Sequence, residues 1–102
     1  MALTSRERAA LRGEAHHLAA LVHVGHEGVT PAIHQVLDDT LRTKELVKIQ
    51  FNKTADVDLK KAAGEMAASV NAEVIQVIGR TVSLYRLNKD LKLKGDTPPW
   101  RR

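Results

Sequence analysis

Leu21-Val22-His23-Val24-Gly25-His26-Glu27-Gly28-Val29-Thr30-Pro31 reads as a strand, a tight turn and a helix start in immediate succession. Leu21–Val24 suits a short strand. Thr30 fits an N-cap, and Pro31 fits the first helical position, where its missing N–H costs nothing. Between them lies Gly25-x-x-Gly28, four residues in which the backbone turns with no Cβ at either end to obstruct it. A strand–glycine turn–helix unit aims backbone N–H groups and the positive end of a helix at one spot, which attracts phosphate. Taken alone, the glycine pair is a weak signal, and in most chains such a pair is an ordinary turn.

The flanking segments alternate in the same way. Thr4-Ser5-Arg6-Glu7 fits a capping box with Thr4 at N-cap and Glu7 at N3. The helix it opens carries Leu11, Ala15, Leu18 and Ala19 on one side and Arg8, Arg12 and His16 in a stripe on another. Gly13 within it is expected to permit a close approach by neighbouring backbone. After the glycine turn, Ile33, Val36, Leu37, Thr40 and Leu41 recur at helical spacing, to an end near Thr43. Val47, Ile49 and Phe51 then alternate with Lys48 and Gln50 in a half-buried strand over 45–51. Residues 52–58 read as a polar loop, with Asp56 or Asp58 capping a third helix whose stripe is Leu59, Ala62, Ala63, Met66, Ala67 and Val70. Glu73–Ile78 is a β-branched strand, and Gly79-Arg80 turns it back into 81–86 as a hairpin. The expected class is α/β (α+β), one compact domain in the order α-β-α-β-α-β-β. Its mixed four-stranded sheet has helices packed on it.

The 102 residues are 43% hydrophobic, enough for a single core, and contain no cysteine, which excludes disulfides and thiolate metal sites. No run of about 18 apolar residues is present, so no membrane span is expected. The start runs into a helix cap rather than an apolar signal region, so a cytoplasmic location is expected. The net charge of +4 is uneven: residues 80–102 carry +5 and the preceding 79 carry −1. Residues 88–102 read as a basic, flexible tail on a domain spanning 1–87. Such asymmetry points to a polyanionic partner.

Four segments in register carry a resemblance. They are Leu11-Arg12-Gly13-Glu14-Ala15-His16, then Val22-His23-Val24-Gly25-His26-Glu27-Gly28-Val29-Thr30, then Glu45-Leu46-Val47-Lys48-Ile49, and finally Val77-Ile78-Gly79-Arg80-Thr81-Val82-Ser83-Leu84-Tyr85-Arg86. Together they closely resemble the YhbY family, the stand-alone bacterial form of the CRM (chloroplast RNA splicing and ribosome maturation) domain. The resemblance implies a fold similar to the C-terminal domain of translation initiation factor three, and RNA binding through the Gly-x-x-Gly loop. It further implies association with rRNA in precursors of the large ribosomal subunit. Family loops often carry basic or small polar residues between the glycines, whereas this chain has His26-Glu27, and Glu27 repels phosphate.

The RNA-contacting set expected on this basis is Gly25, His26, Glu27, Gly28 and Thr30 of the loop, with Arg8, Arg12, Lys48, Arg80 and Arg86 around it. Arg8 and Arg12 are equally a solvated helix face, and Lys48 is equally a shield for a sheet edge. Arg86 beside Tyr85 would set a cation next to an aromatic platform if Tyr85 faced solvent. With one Phe, one Tyr and one Trp in the chain, stacking is scarce and recognition should lean on phosphate and shape. No histidine pairs with another at i, i+4, and His34 with Asp38 is the one helical pair of ligand type, so no metal or cofactor is expected. Asp38 and Asp39 point about 100° apart on their helix and form no catalytic dyad. Neither an enzyme nor a small-molecule substrate is expected. A monomer bound to rRNA is the first reading. The alternatives are a protein-interaction module docking a ribosomal protein and a cofactor of intron splicing.

Overall fold

The computed structural model describes residues 3–53 and 58–87. Its elements follow the expected order: α1 (Ser5–Ala15), β1 (Val22–Val24), α2 (Pro31–Lys44), β2 (Leu46–Phe51), α3 (Leu59–Ser69), β3 (Glu73–Ile78) and β4 (Thr81–Tyr85). Each helix begins on a side-chain cap. Thr4 Oγ1 accepts the Glu7 N–H, and Glu7 Oε1 accepts the Thr4 N–H, both at 3.0 Å. Thr30 Oγ1 accepts from Ile33 N–H, with Pro31 in the first turn. Asp58 Oδ1 accepts from the N–H groups of Lys60 and Lys61; the other candidate cap, Asp56, lies outside the described residues, as does the segment 88–102. Thr4→Ala removes the reciprocal pair and is expected to cost about 1 kcal/mol, read from the urea midpoint.

The sheet order is β1-β2-β4-β3. β1 and β2 run parallel, as a strand–helix–strand crossover through α2 requires. α3 carries the chain past the sheet to β3 at the far edge. The hairpin then inserts β4 antiparallel between β3 and β2.

Alternation along the strands gives the sheet two faces. On one, Val22, Val24, Val47, Ile49, Phe51, Val82 and Leu84 meet Leu37 and Leu41 of α2 and Ala63 and Met66 of α3 in the main core. On the other, Leu46, Ile75 and Tyr85 pack under Leu11 and Ala15 of α1. That second cover reaches only one end of the face, leaving His23 and Gln50 exposed at the other.

Three expectations are corrected here. Leu18 and Ala19 do not extend the buried side of α1, because the helix unwinds at His16: His17 and Leu18 donate to carbonyls three residues back, and both Leu18 and Ala19 are exposed. Gly13 admits no backbone neighbour; a Cβ there would meet nothing within 4 Å. Glu45 belongs to the end of α2 rather than to β2, with φ 61° and its N–H on the Leu41 carbonyl. The chain thereby reverses directly from helix into strand.

Candidate nucleic-acid interface

Three turns gather at one end of the sheet. β1 and β2 leave it side by side, joined by Asn52 N–H donating to Val24 O at 2.8 Å. The β3–β4 turn at Gly79-Arg80 is drawn against them, since Phe51 N–H donates to Arg80 O at 2.8 Å. The Arg80 guanidinium returns across the same gap, with Nε on Phe51 O at 3.3 Å and Nη2 on Asn52 O at 2.7 Å. Gly25–Gly28 forms the third turn, closed by Gly28 N–H donating to Gly25 O at 3.0 Å. Gly28 takes φ 77°, a left-handed conformation that a side chain disfavours.

The turn delivers the chain into the N-terminus of α2. No acidic residue lies in the first turn of that helix, so its positive end is not neutralised from within. Gly25, His26 and Glu27 are exposed, and Thr30 is half-buried with its hydroxyl on the helix cap. Thr30 therefore aims the helix.

The surface around the turn divides by charge. On the β2 side lies an open cleft of about 650 Å³, where His23, Gln50, Asn52, Lys53 and Arg80 surround Gly25 and, among the described residues, no carboxylate reaches the lining. On the α3 side a second, shallower depression is bordered by Glu27, Asp58 and Glu65 against Lys61. Glu27, the residue at odds with phosphate binding, thus lines the depression on the α3 side.

The structure distributes the expected residues unevenly. Arg80 joins the glycine turn at the cleft. Lys48 stands one pleat further along the same face, with Nζ on Ala15 O at 3.3 Å at the end of α1. Arg12 is exposed on α1. Arg8 is held at the start of β3, with Nη2 on Glu73 Oε2 at 3.1 Å and Nη1 on Val74 O at 3.3 Å, where it ties α1 to the sheet.

The pairing of Arg86 with an aromatic platform is a correction. Tyr85 is only 3% exposed, packed under α1. Arg86 turns inward to Asp38 Oδ1 at 2.7 Å, Val70 O at 2.9 Å and Asp38 O at 3.0 Å. Since β4 runs away from the turn at Thr81, Arg86 lies a full strand length, about 16 Å, from it. The cleft's Lys53, Gln50 and His23 were not in the expected set. For His23 and Gln50 the signal was the outward phase of β1 and β2, in which they are paired neighbours; Lys53 lies beyond the end of β2 and carried no such signal.

Among the described residues no three histidine, aspartate or glutamate side chains gather as metal ligands. No helix among them is long and apolar enough to cross a membrane.

Comparison with known proteins completes the description. A family model for the CRS1 / YhbY (CRM) domain matches residues 3–86. The Probable RNA-binding protein YqeI of Bacillus subtilis is 29% identical over 90 residues, covering 88% of this chain and 94% of that protein. The Probable RNA-binding protein MJ0652 of Methanocaldococcus jannaschii is 36% identical over 86 residues, 82% of this chain and 63% of its own length. The solution structure of SAV1595 from Staphylococcus aureus superposes with a TM-score of 0.74 at 28% identity, over 85% of this chain and 91% of that one.

Proposed function

The chain belongs to the CRS1 / YhbY (CRM) domain family, and from that premise we propose that it is an RNA-binding domain, not a catalyst, that grips phosphates at the Gly25–Gly28 turn. The observation that carries the reading is the division of charge about that turn. A helix N-terminus without acids in its first turn meets a cleft whose charged lining among the described residues is cationic, Lys53 and Arg80. N–H groups of the turn and the positive end of α2 supply short-range attraction, and the two cations supply the field around them. Gly25, His26, Gly28, Lys53 and Arg80 form the first contact set. Thr30 orients the helix, Arg12 and Lys48 extend the cationic surface toward α1, and Arg8 and Arg86 hold the scaffold. Two relatives bear names for RNA binding, which supports the same reading.

On this reading the target is rRNA within a precursor of the large ribosomal subunit, bound in the cytoplasm by a monomer on behalf of assembly, as the family resemblance implies. The test is binding of the full chain to large-subunit rRNA across a salt series. The expected slope of log affinity against log salt is about −0.7 to −0.9 per phosphate neutralised, and Lys53→Ala should remove about one such unit. An rRNA affinity indifferent to salt would overturn phosphate gripping at the turn. Sedimentation of native lysate should place the chain with pre-large-subunit particles; recovery only at the top of the gradient, free of RNA, would remove the assembly role.

A further inference from the structure

The end of the sheet's second face that α1 does not reach has a composition that the packing of the described residues does not explain. Strand pairing sets His23, Gln50, Thr81 and Ile78 in one row across all four strands. The next row toward α1 is Lys48, Ser83 and Gln76, and only the row after that, Leu46, Tyr85 and Glu73, passes beneath α1. His23 and Gln50 are exposed, and Ile78 is 50% exposed although it ends a strand of the central sheet. Ala15, His16 and Lys48 bound this surface where α1 stops, around a small recess with Gln76 and Ser83. Among the described residues no carboxylate lines either that recess or the cleft beside the glycine turn.

We infer that this face is a recognition surface for single-stranded RNA, on which unpaired nucleotides lie across the strands after their phosphates have engaged the glycine turn. The inference rests on the phosphate-gripping reading above and adds which form of RNA the site takes. Charge complementarity selects the occupant: among the described residues the charged groups bordering this face are Lys48, Lys53 and Arg80, and the acids near the turn line the α3 side. The chemistry of the rows selects single strands. Amides of Gln50 and Gln76 offer both donors and acceptors, and the Thr81 hydroxyl, which donates to Ile78 O at 2.8 Å, offers an acceptor; these suit base edges and ribose hydroxyls. In duplex RNA the Watson–Crick edges are engaged in pairing and the deep major groove excludes side chains, so these side chains would meet only backbone, ribose hydroxyls and the shallow minor groove. Four strands span only about 14 Å, a platform for a few nucleotides. Ile78 offers an apolar seat for one ribose or base.

Among the described residues Phe51 and Tyr85 are both buried, so the rings this surface offers are the imidazoles of His16 and His23 alone. Affinity for single strands must therefore come from hydrogen bonds more than from stacking, and polar-to-alanine changes should expose it. The experiment compares a pool of random-sequence single-stranded RNA 12-mers with a blunt RNA duplex of the same length, using the full chain and Gln50→Ala/Gln76→Ala. Both side chains point outward at half-buried or exposed positions, so folding is checked by circular dichroism alongside.

The expected result is at least about tenfold tighter binding of the single strands, with the double variant losing about fivefold to tenfold on them and little on the duplex. Equal affinity for both RNAs, or an unchanged single-strand affinity in the variant, overturns the inference and leaves phosphate gripping intact. Failure of the native chain to bind either RNA overturns both.

Discussion

Arg86→Ala is expected to lower the free energy of unfolding by about 3 kcal/mol, a large share of the stability of a domain this size. The guanidinium joins three parts of the chain at once. It donates to the Asp38 carboxylate and carbonyl in α2 and to the Val70 carbonyl at the end of α3, from a position just beyond β4. Its side chain is 22% exposed, so water replaces these partners poorly, and truncation removes the guanidinium from two carbonyls and a carboxylate at once. Asp38 retains Arg42 at 2.8 Å, which is exposed and contributes little. Arg86→Lys keeps the charge without the fork and should recover less than half of the loss.

The same pair sets a pH dependence. The hydrogen bond from Arg86, with the charges of Arg86 and Arg42, holds the Asp38 carboxyl below its ordinary 3.8 despite an opposing desolvation. A carboxyl depressed in the fold contributes stability that is present above its unfolded value and lost as pH falls through the folded one. The difference in urea stability between the native chain and Asp38→Asn should therefore be full at pH 7 and shrink below about pH 3.8. A loss under about 1 kcal/mol for Arg86→Ala at pH 7 would mean that solvent serves the guanidinium as well as its three acceptors do.

Gly25→Asp/Gly28→Asp is expected to weaken RNA binding by about thirtyfold or more at low salt while the domain stays folded. A Cβ on Gly25 would meet nothing within 4 Å. Gly28 has φ 77°, where aspartate is among the better-tolerated side chains at a cost of about 1 kcal/mol. Two carboxylates at the mouth of the cationic cleft would occupy the place proposed for phosphate and satisfy the end of α2 from within. Free of RNA, the same charges suit that helix end, so stability should change little. Filter binding with large-subunit rRNA, paired with thermal unfolding, separates the two effects. Unchanged affinity in a folded variant would reduce the turn to a connector between β1 and α2.

The elements of this fold were legible because their signals are local. Thr4 with Glu7, Thr30 with Pro31 and Asp58 with Lys60 act within three residues. The alternation of Val47, Ile49 and Phe51 needs no knowledge of what lies on either side. The glycine turn was legible for the same reason, since a strand, two glycines and a capped proline fix its place between β1 and α2. The roles of the cations were not. Arg8 reaches Glu73 across 65 residues of chain, and Arg86 reaches Asp38 across 48.

Amino-acid order by itself thus determined the helices, the strands, the mixed sheet and the position of the glycine turn, all set by propensity, capping and period over a few residues. Tertiary structure alone decided that α1 stops at Ala15 and leaves half a sheet face open, and that Arg8 and Arg86 are anchors. It also decided that Lys53 and Arg80 face the turn while Glu27 borders the far side. A cation's role depends on which carbonyls and carboxylates the strand order β1-β2-β4-β3 brings within hydrogen-bond reach, and that proximity is set by the packing of distant segments.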